Sequence, residues 1–330
     1  MPVVVMFLPR ERLEATGLVL PQDWTVRFLT SNNEAEIIEA CLDADFLLAT
    51  GSIAHITANI IRNIPTVRLI QCNSVGYNHV DIEEATRCGI PVANAPGQNA
   101  AAVAEFTIGS IIALQRRIIE SDRAVKTGHY HEFRLQVLNS GLKEFSVSRL
   151  GLIGYGDIAK RVGQIAGLLG ASVSYFSRHP LPPAESPNIT YKPLDQLLQE
   201  SDIISLHLPL TSQTRGMIGK QELALMPPGS LFINTARGEI VDQEALAAAL
   251  ESGHLAGAAI DTFHPEPPGP GHPLLTLSPA GQKRVLLTPH TAGTSLGASR
   301  NTLQTALDNM KAVLNGLPPK YVVNGIQSKS

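Results

Sequence analysis

The chain has 330 residues, 44% of them apolar, and 26 basic against 29 acidic side chains leave a net charge of −3. That length and apolar content suffice for two ordinary domains with separate cores, and a near-neutral balance without a Lys/Arg run weighs against nucleic acid and anionic membrane as partners. Three cysteines, Cys41, Cys72 and Cys88, lack C-x-x-C spacing and suit buried thiols in a reducing compartment better than a disulfide framework or a zinc site.

The opening MPVVVMFLPR is apolar but short and has no basic n-region, so it reads as a first strand rather than a signal peptide. No apolar run reaches the roughly 18 residues of a membrane span, and the expected location is the cytoplasm. β-Branched runs then alternate with helix-patterned segments. VVVMFL, TVRFL, DFLLAT, RLIQCNS and IPVANA are interleaved with EAEIIEACL, ITANIIRNI and DIEEATRCG, a rhythm that predicts a parallel sheet covered by helices. AAVAEFTIGSIIALQRRII follows as one long helical pattern that crosses between domains.

The βα rhythm restarts at RLGLIGYG and runs through SVSYFS, DIISLHL, SLFINTA, AGAAIDTF and VLLTPH, six strands that match a doubly wound dinucleotide-binding domain. FHPEPPGPGHPLLTLSPAGQ reads as a long irregular loop at a strand's carboxyl end, a place where loops are more often functional than decorative. The last helix, ASRNTLQTALDNMKAVLNG, is expected to pack on the first unit. The class is therefore α/β with two doubly wound parallel sheets. The expected domains are 1–99 plus 296–330 for substrate and 100–295 for the dinucleotide, with two crossings that define a hinge and a cleft.

LIGYGDIA sets Gly154, Gly156 and Ala159 in a G-x-G-x-x-A pattern between strand and helix. The first glycine permits the tight turn, the second lets backbone approach a pyrophosphate, and the small third residue lets helix and strand pack. Asp157 is a discord unless its carboxylate points outward. About twenty residues further on, where an acid would grip the adenine ribose, stand Ser177, Arg178 and His179. A serine hydroxyl brings no charge and the Arg178 guanidinium suits a 2′-phosphate. NADP is the expected cofactor, with NAD the alternative through neutral contacts.

Arg237, Glu266 and His290 follow successive strands and therefore share one rim of the sheet. Each by itself reads equally well as a structural residue; together they suit hydride transfer to a 2-keto acid. Arg237 can hold the substrate carboxylate and polarise the carbonyl oxygen. His290 can deliver the proton, with Glu266 stabilising the imidazolium and its tautomer.

The segments LIGYGDIA, DIISLHLPLT, FINTARGEIVD, AAIDTFHPEPP and TPHTAG resemble the signatures of the D-isomer-specific 2-hydroxyacid dehydrogenase family, and NSVGYNHVDI and AVAEFTIG extend the likeness over nearly the whole chain. The resemblance implies a homodimer whose glycine-rich Rossmann domain is inserted in a smaller flavodoxin-like domain, and a catalytic set of Arg237, Glu266 and His290. It also implies that Val75 and Gly76 backbone receives the substrate carboxylate, and that Asp261 with Thr235, Ala236 and Gly293 positions the nicotinamide. Tyr155, Asp157 and Ile158 join the glycine loop in holding the cofactor, and His207, Leu208, Pro209 and Thr214 line its cleft.

FSRHP departs from the family's NAD-type acid and is similar to its NADP-using glyoxylate, hydroxypyruvate and hydroxyphenylpyruvate reductases. GLKEFSVSRLGLIG lacks the usual Gly-Lys-Thr, and TGHYHEF puts His129 and His131 where an aromatic is common; two histidines at i, i+2 do not make a metal site. The expectation is an NADPH-dependent reductase of a small 2-keto acid, glyoxylate or hydroxypyruvate leading. The alternatives are an NAD-linked D-lactate or phosphite-type dehydrogenase and a dinucleotide-sensing, corepressor-like protein. A methyltransferase on the same glycine loop leaves the strand-end arginine and histidine without a role. His55 and Tyr77 are candidates for facing the substrate side chain, with a structural role equally open.

Overall fold

The computed structural model describes residues 1–182 and 188–326; the expected first-domain segment 296–330 therefore extends beyond the described residues at 327–330. Its contacts divide the chain into a first unit, Met1–Asn99 with Thr294–Ser330, and a second, Ala100–Gly293.

The first unit contains β1 (Val3–Met6), α1 (Arg10–Glu14), β2 (Thr25–Phe28), α2 (Glu34–Cys41), β3 (Phe46–Ala49), α3 (Ala58–Arg62), β4 (Leu69–Cys72), α4 (Ile82–Arg87) and β5 (Val92–Ala93). The strands pair in parallel in the order β2-β1-β3-β4-β5, the flavodoxin-like doubly wound order. Successive side chains of a strand point to opposite faces. Val5, Leu47, Ala49, Ile70 and Cys72 accordingly enter one apolar cluster, while Val4, Met6, Phe46, Leu48 and Leu69 enter another. Burial on both faces is why these strands read as continuous apolar runs. Asn33 and Asp81 cap α2 and α4 by accepting first-turn N–H groups.

The second unit begins with α5 (Ala100–Gln115), α6 (Ile118–Lys126) and α7 (Tyr130–Leu138), where the sequence predicts one unbroken helix over 101–119. Arg117 adopts a left-handed φ of 50° between α5 and α6. Its guanidinium holds both Glu120 oxygens at 2.8 and 2.7 Å and lies over the Phe133 ring, so side-chain contacts break the helix where no glycine or proline marks the spot. There follow β6 (Arg149–Ile153), α8 (Asp157–Leu168), β7 (Ser172–Phe176), β8 (Thr190–Tyr191), α9 (Leu194–Glu200), β9 (Ile203–Leu206), α10 (Lys220–Leu225), β10 (Ser230–Asn234), α11 (Gln243–Glu251), β11 (Leu255–Ile260), α12 (Pro279–Gln282) and β12 (Val285–Leu287). The sheet order is β12-β11-β10-β9-β6-β7-β8, the Rossmann order with one strand added beyond its sixth. The strand beyond the sixth is β12; among the described residues this sheet has seven strands where the sequence predicts six, and the one it does not predict lies at the opposite edge. The missed strand, β8, is two exposed residues paired with Ser174 and Tyr175, too short to show a period.

The chain then returns to the first unit as α13 (Leu296–Leu314), whose Leu303, Ala306, Leu307, Met310 and Val313 pack on the sheet face carrying Val4, Phe46 and Leu69. Asn309 is buried at this contact. Its amide donates to Gln71 Oε1 at 2.7 Å and Lys320 O at 3.0 Å, and its carbonyl accepts Lys320 N at 2.8 Å. The tail beyond is held to β5 by Val323 N donating to Val92 O at 2.8 Å and by Asn324. Among the described residues no helix is long and apolar enough to cross a membrane.

A buried polar group left without its partner costs about 1–3 kcal/mol, whereas replacing both partners by apolar groups is nearly neutral. Asn309→Leu, which leaves Gln71 Oε1 without its donor, is therefore expected to lower unfolding stability in urea by about 2 kcal/mol. A change within about 0.5 kcal/mol, the range of ordinary surface substitutions, would contradict this role.

Candidate active site

The glycine loop joins β6 to α8. Gly154 has φ 93° and its N–H donates to Phe176 O at 2.9 Å. A Cβ there would collide with the His207 carbonyl and come within 2.9 Å of Leu208 Cδ2, so only glycine permits β9's exit to press against this turn. Gly156 caps α8, and a Cβ on it would meet nothing within 4 Å. Open space over a helix start, with first-turn N–H groups of Asp157 and Ile158 directed there, fits a pyrophosphate. Asp157 is exposed at the first position of α8, and Tyr155 stacks on Tyr175 with centroids 4.1 Å apart. Ala159, fully buried, faces the sheet with Val162, Gly163 and Ala166.

At the exit of β7 the loop is organised by its own bonds. Ser177 Oγ donates to His179 O at 2.7 Å, and Leu181 N donates to the Tyr175 hydroxyl at 2.9 Å. Arg178 is exposed and donates through NH1 to Gln213 Oε1 at 2.8 Å. The Ser177 proton is thus committed within the loop and Arg178 is the side chain turned outward. At the exit of β9, His207 Nε2 meets the buried Ser205 hydroxyl at 3.0 Å, and burial pushes the His207 pKa down to about 3, which keeps the ring neutral. Pro209 is exposed and Leu208 half-buried. Thr214 is buried; its hydroxyl donates to Pro209 O at 2.7 Å and accepts from Thr211 N at 2.8 Å, closing the turn from within.

Beyond β10 the backbone is turned by Asn234, a buried residue that no motif in the sequence singles out. Its Oδ1 accepts Ala236 N at 2.9 Å and its Nδ2 donates to Arg237 O at 3.0 Å, the Asx-type turn that an asparagine closing a strand can signal. Thr235 Oγ1 lies 3.4 Å from Thr107 Oγ1 of α5. A Cβ on Gly238 would overlap the Phe263 carbonyl group, so the segment carrying Arg237 runs directly against the one leading to Glu266. Desolvation lowers the Arg237 pKa from its high ordinary value, opposed by the charges of Glu266 and Glu239.

Asp261, at the end of β11, is 1% exposed. Its Oδ1 accepts Thr288 Oγ1 at 2.6 Å and Thr291 N at 2.9 Å, its Oδ2 accepts Ala292 N at 2.9 Å, and its backbone carbonyl accepts His290 N at 2.8 Å. The structure thus gives Asp261 the role of anchoring residues 288–292, next to the half-buried Gly293. His290 takes a left-handed φ of 54°, a conformation rare for residues other than glycine and held here by surrounding bonds. His290 Nδ1 lies 2.7 Å from Glu266 Oε1, and its Nε2 has no partner among the described residues. Arg237, Glu266 and His290 all belong to the second unit, and the His290–Glu266 contact unites two of the strand-end loops.

Val75 and Gly76 belong to the first unit, after β4. Asn94 Nδ2 donates to Val75 O at 2.7 Å and Ser74 Oγ to Gly76 O at 2.6 Å. Their carbonyls are tied while their N–H groups have no backbone partner among the described residues, an arrangement suited to an anion. His55 and Tyr77 are exposed. His129 Nδ1 lies 3.1 Å from Thr127 Oγ1 and His131 packs edge-on to Tyr130. Among the described residues no three His, Cys, Asp or Glu side chains are grouped to hold a metal.

Residues 108–292 match the NAD binding domain model of the D-isomer specific 2-hydroxyacid dehydrogenases. The chain is 37% identical over 291 residues to a glyoxylate reductase of Thermofilum pendens, covering 88% of this chain and 84% of that one. It is also 37% identical over 295 residues to the D-3-phosphoglycerate dehydrogenase of Escherichia coli K12, covering 89% and 68%. A crystal structure of a Thermus thermophilus protein superposes with a TM-score of 0.83 at 32% identity, covering 98% of this chain and 100% of that one. With the family model spanning more than half of the chain and relatives this similar over most of it, the protein belongs to the D-isomer specific 2-hydroxyacid dehydrogenase family of NAD(P)-dependent enzymes.

Proposed function

We propose that the protein reduces a small 2-keto acid, glyoxylate or hydroxypyruvate, to the D-2-hydroxy acid with NADPH. The observation that carries this reading is the His290–Glu266 contact of 2.7 Å, on the rim that also bears Arg237. When bound, NADPH would supply the hydride that the carbonyl carbon receives. In the reducing direction His290 starts with both ring nitrogens protonated: Nδ1–H donates to the Glu266 carboxylate, and Nε2–H gives its proton to the carbonyl oxygen as charge develops there. The ring ends neutral, with Nδ1–H still on Glu266. Arg237 polarises that oxygen by charge-assisted hydrogen bonding. The free N–H groups of Val75 and Gly76 are assigned to the substrate carboxylate. Asp261 contributes by fixing the loop that aims His290.

Glyoxylate leads because a relative named glyoxylate reductase is 37% identical. A phosphorylated three-carbon keto acid is the competing substrate, because the E. coli D-3-phosphoglycerate dehydrogenase is equally similar. NADPH is favoured by Arg178 and by the lack of an acid at the β7 exit. A cytoplasmic location goes with the free thiols Cys41, Cys72 and Cys88. A homodimer is supported by α6 and α7: α7 buries none of its residues, and Ile119, Leu135 and Leu138 are more than half exposed. A short helix with no buried face needs cover to persist, and isologous pairing with a second copy supplies it.

Assays of glyoxylate, hydroxypyruvate, phosphohydroxypyruvate and pyruvate with each cofactor are expected to give the highest kcat/KM for one of the first two with NADPH. Equal values for both cofactors, or a preference for NADH, would sink the NADP assignment. His290→Ala should lower kcat about 10²- to 10⁴-fold with cofactor Kd nearly unchanged; Glu266→Gln keeps a hydrogen bond but removes the charge, and should lower kcat by a smaller factor. Near-normal kcat in His290→Ala removes that residue from the mechanism. Sedimentation of the parent is expected to show a dimer, and Leu135→Asp combined with Leu138→Asp a monomer; a parent sedimenting as a single chain excludes the pairing.

A further inference from the structure

We propose that Gln213 is a specificity-determining residue: its side-chain carbonyl holds the Arg178 guanidinium ready for the 2′-phosphate of NADPH, so that part of the cofactor preference resides in the loop after β9. The proposal rests on the NADPH reading above.

Arg178 and Gln213 lie 35 residues apart in the chain and leave different strands of the sheet, yet NH1 of one donates to Oε1 of the other at 2.8 Å. Both side chains are exposed. A contact of this kind in water contributes little to folding, so stability does not account for it. Gln213 nevertheless stands on a rigid support. Thr214 is buried, its hydroxyl closes on Pro209 O and Thr211 N, and Thr214 N donates to Thr211 Oγ1 at 3.2 Å. Gly216 N donates to Glu239 O at 2.8 Å and ties the far end of the turn.

Two features of the contact suit a phosphate. A guanidinium has five N–H donors, so one bond to Gln213 leaves the others for phosphate oxygens. A glutamine is also neutral, so this contact leaves the positive charge of Arg178 available to a dianionic ligand, and among the described residues Arg178 makes no ion pair. A carboxylate in the same place would satisfy the guanidinium and repel the ligand. Immobilising a long side chain on binding costs about 0.5–1.5 kcal/mol, which converts to about two- to twelvefold in affinity. Gln213 reduces that cost by holding Arg178 beforehand. The Ser177 hydroxyl, committed to His179 O, does not provide this support.

The test compares the parent with Gln213→Leu, Gln213→Glu, Arg178→Ala and the double variant Arg178→Ala/Gln213→Leu. The readouts are the NADPH/NADH ratio of kcat/KM and inhibition by 2′,5′-ADP against 5′-AMP, which probe the phosphate without turnover. Gln213→Leu is expected to lower the ratio, and to weaken 2′,5′-ADP relative to 5′-AMP, by about two- to twelvefold. Gln213→Glu should lower both further. In the Arg178→Ala background Gln213→Leu should change neither. A parent that prefers NADPH and loses this with Arg178→Ala, but is indifferent to Gln213→Leu, overturns the inference and leaves the cofactor reading standing. Additive losses in the double variant also overturn it, because Gln213 would then act independently of Arg178. A parent without NADPH preference removes the cofactor reading and the inference with it.

Discussion

The Asp261 carboxylate is buried without an ion pair among the described residues, and the donors that satisfy it come from one short loop. Burying a charge is costly unless it is hydrogen bonded. Residues 288–292 therefore cannot leave the end of β11 without exposing an unsatisfied anion. That constraint holds His290 in its left-handed backbone conformation and turns the ring toward Glu266. Side-chain position at this rim is thus set by a residue beneath it that need not take part in proton transfer.

Close backbone approach does the same work elsewhere on the sheet. Gly238 lets the Arg237 segment lie against the Phe263 carbonyl, and Gly154 lets the glycine loop lie against that of His207. In both places a Cβ would separate two loops that must meet, so the glycines act by what they allow their neighbours to do. Asn234 and Thr214 complete the scheme by closing their own turns with side-chain hydrogen bonds. Arg178 and His290, both exposed, likewise stand beside bonds that close their own loops, Ser177 to His179 O in one and Asp261 to Thr288, Thr291 and Ala292 in the other.

Much of this was legible beforehand. Strands buried on both faces show as unbroken apolar runs, and the alternation of such runs with amphipathic segments specifies parallel doubly wound sheets. The glycine spacing identifies the β6–α8 turn because the physical demands on that turn are local. Arg237, Glu266 and His290 could be selected because each follows a strand. β8 was not legible, being two residues long, nor was the break at Arg117, which depends on Glu120 and Phe133 rather than on a helix-breaking residue.

Periodicity and residues near one another in the chain suffice for the α/β class, the two sheets, the glycine-rich turn between β6 and α8 and the lack of an acid at residues 177–179. Which distant groups meet depends on the folded chain. Glu266 reaches His290 across 24 residues, Asp261 takes its donors from positions 27 to 31 residues on, Arg178 finds Gln213 across 35, and Asn309 reaches Gln71 across 238. Such pairings leave no periodic trace, because a hydrogen bond between remote residues constrains two positions and nothing between them. They exist only once the sheets have brought their strand ends together.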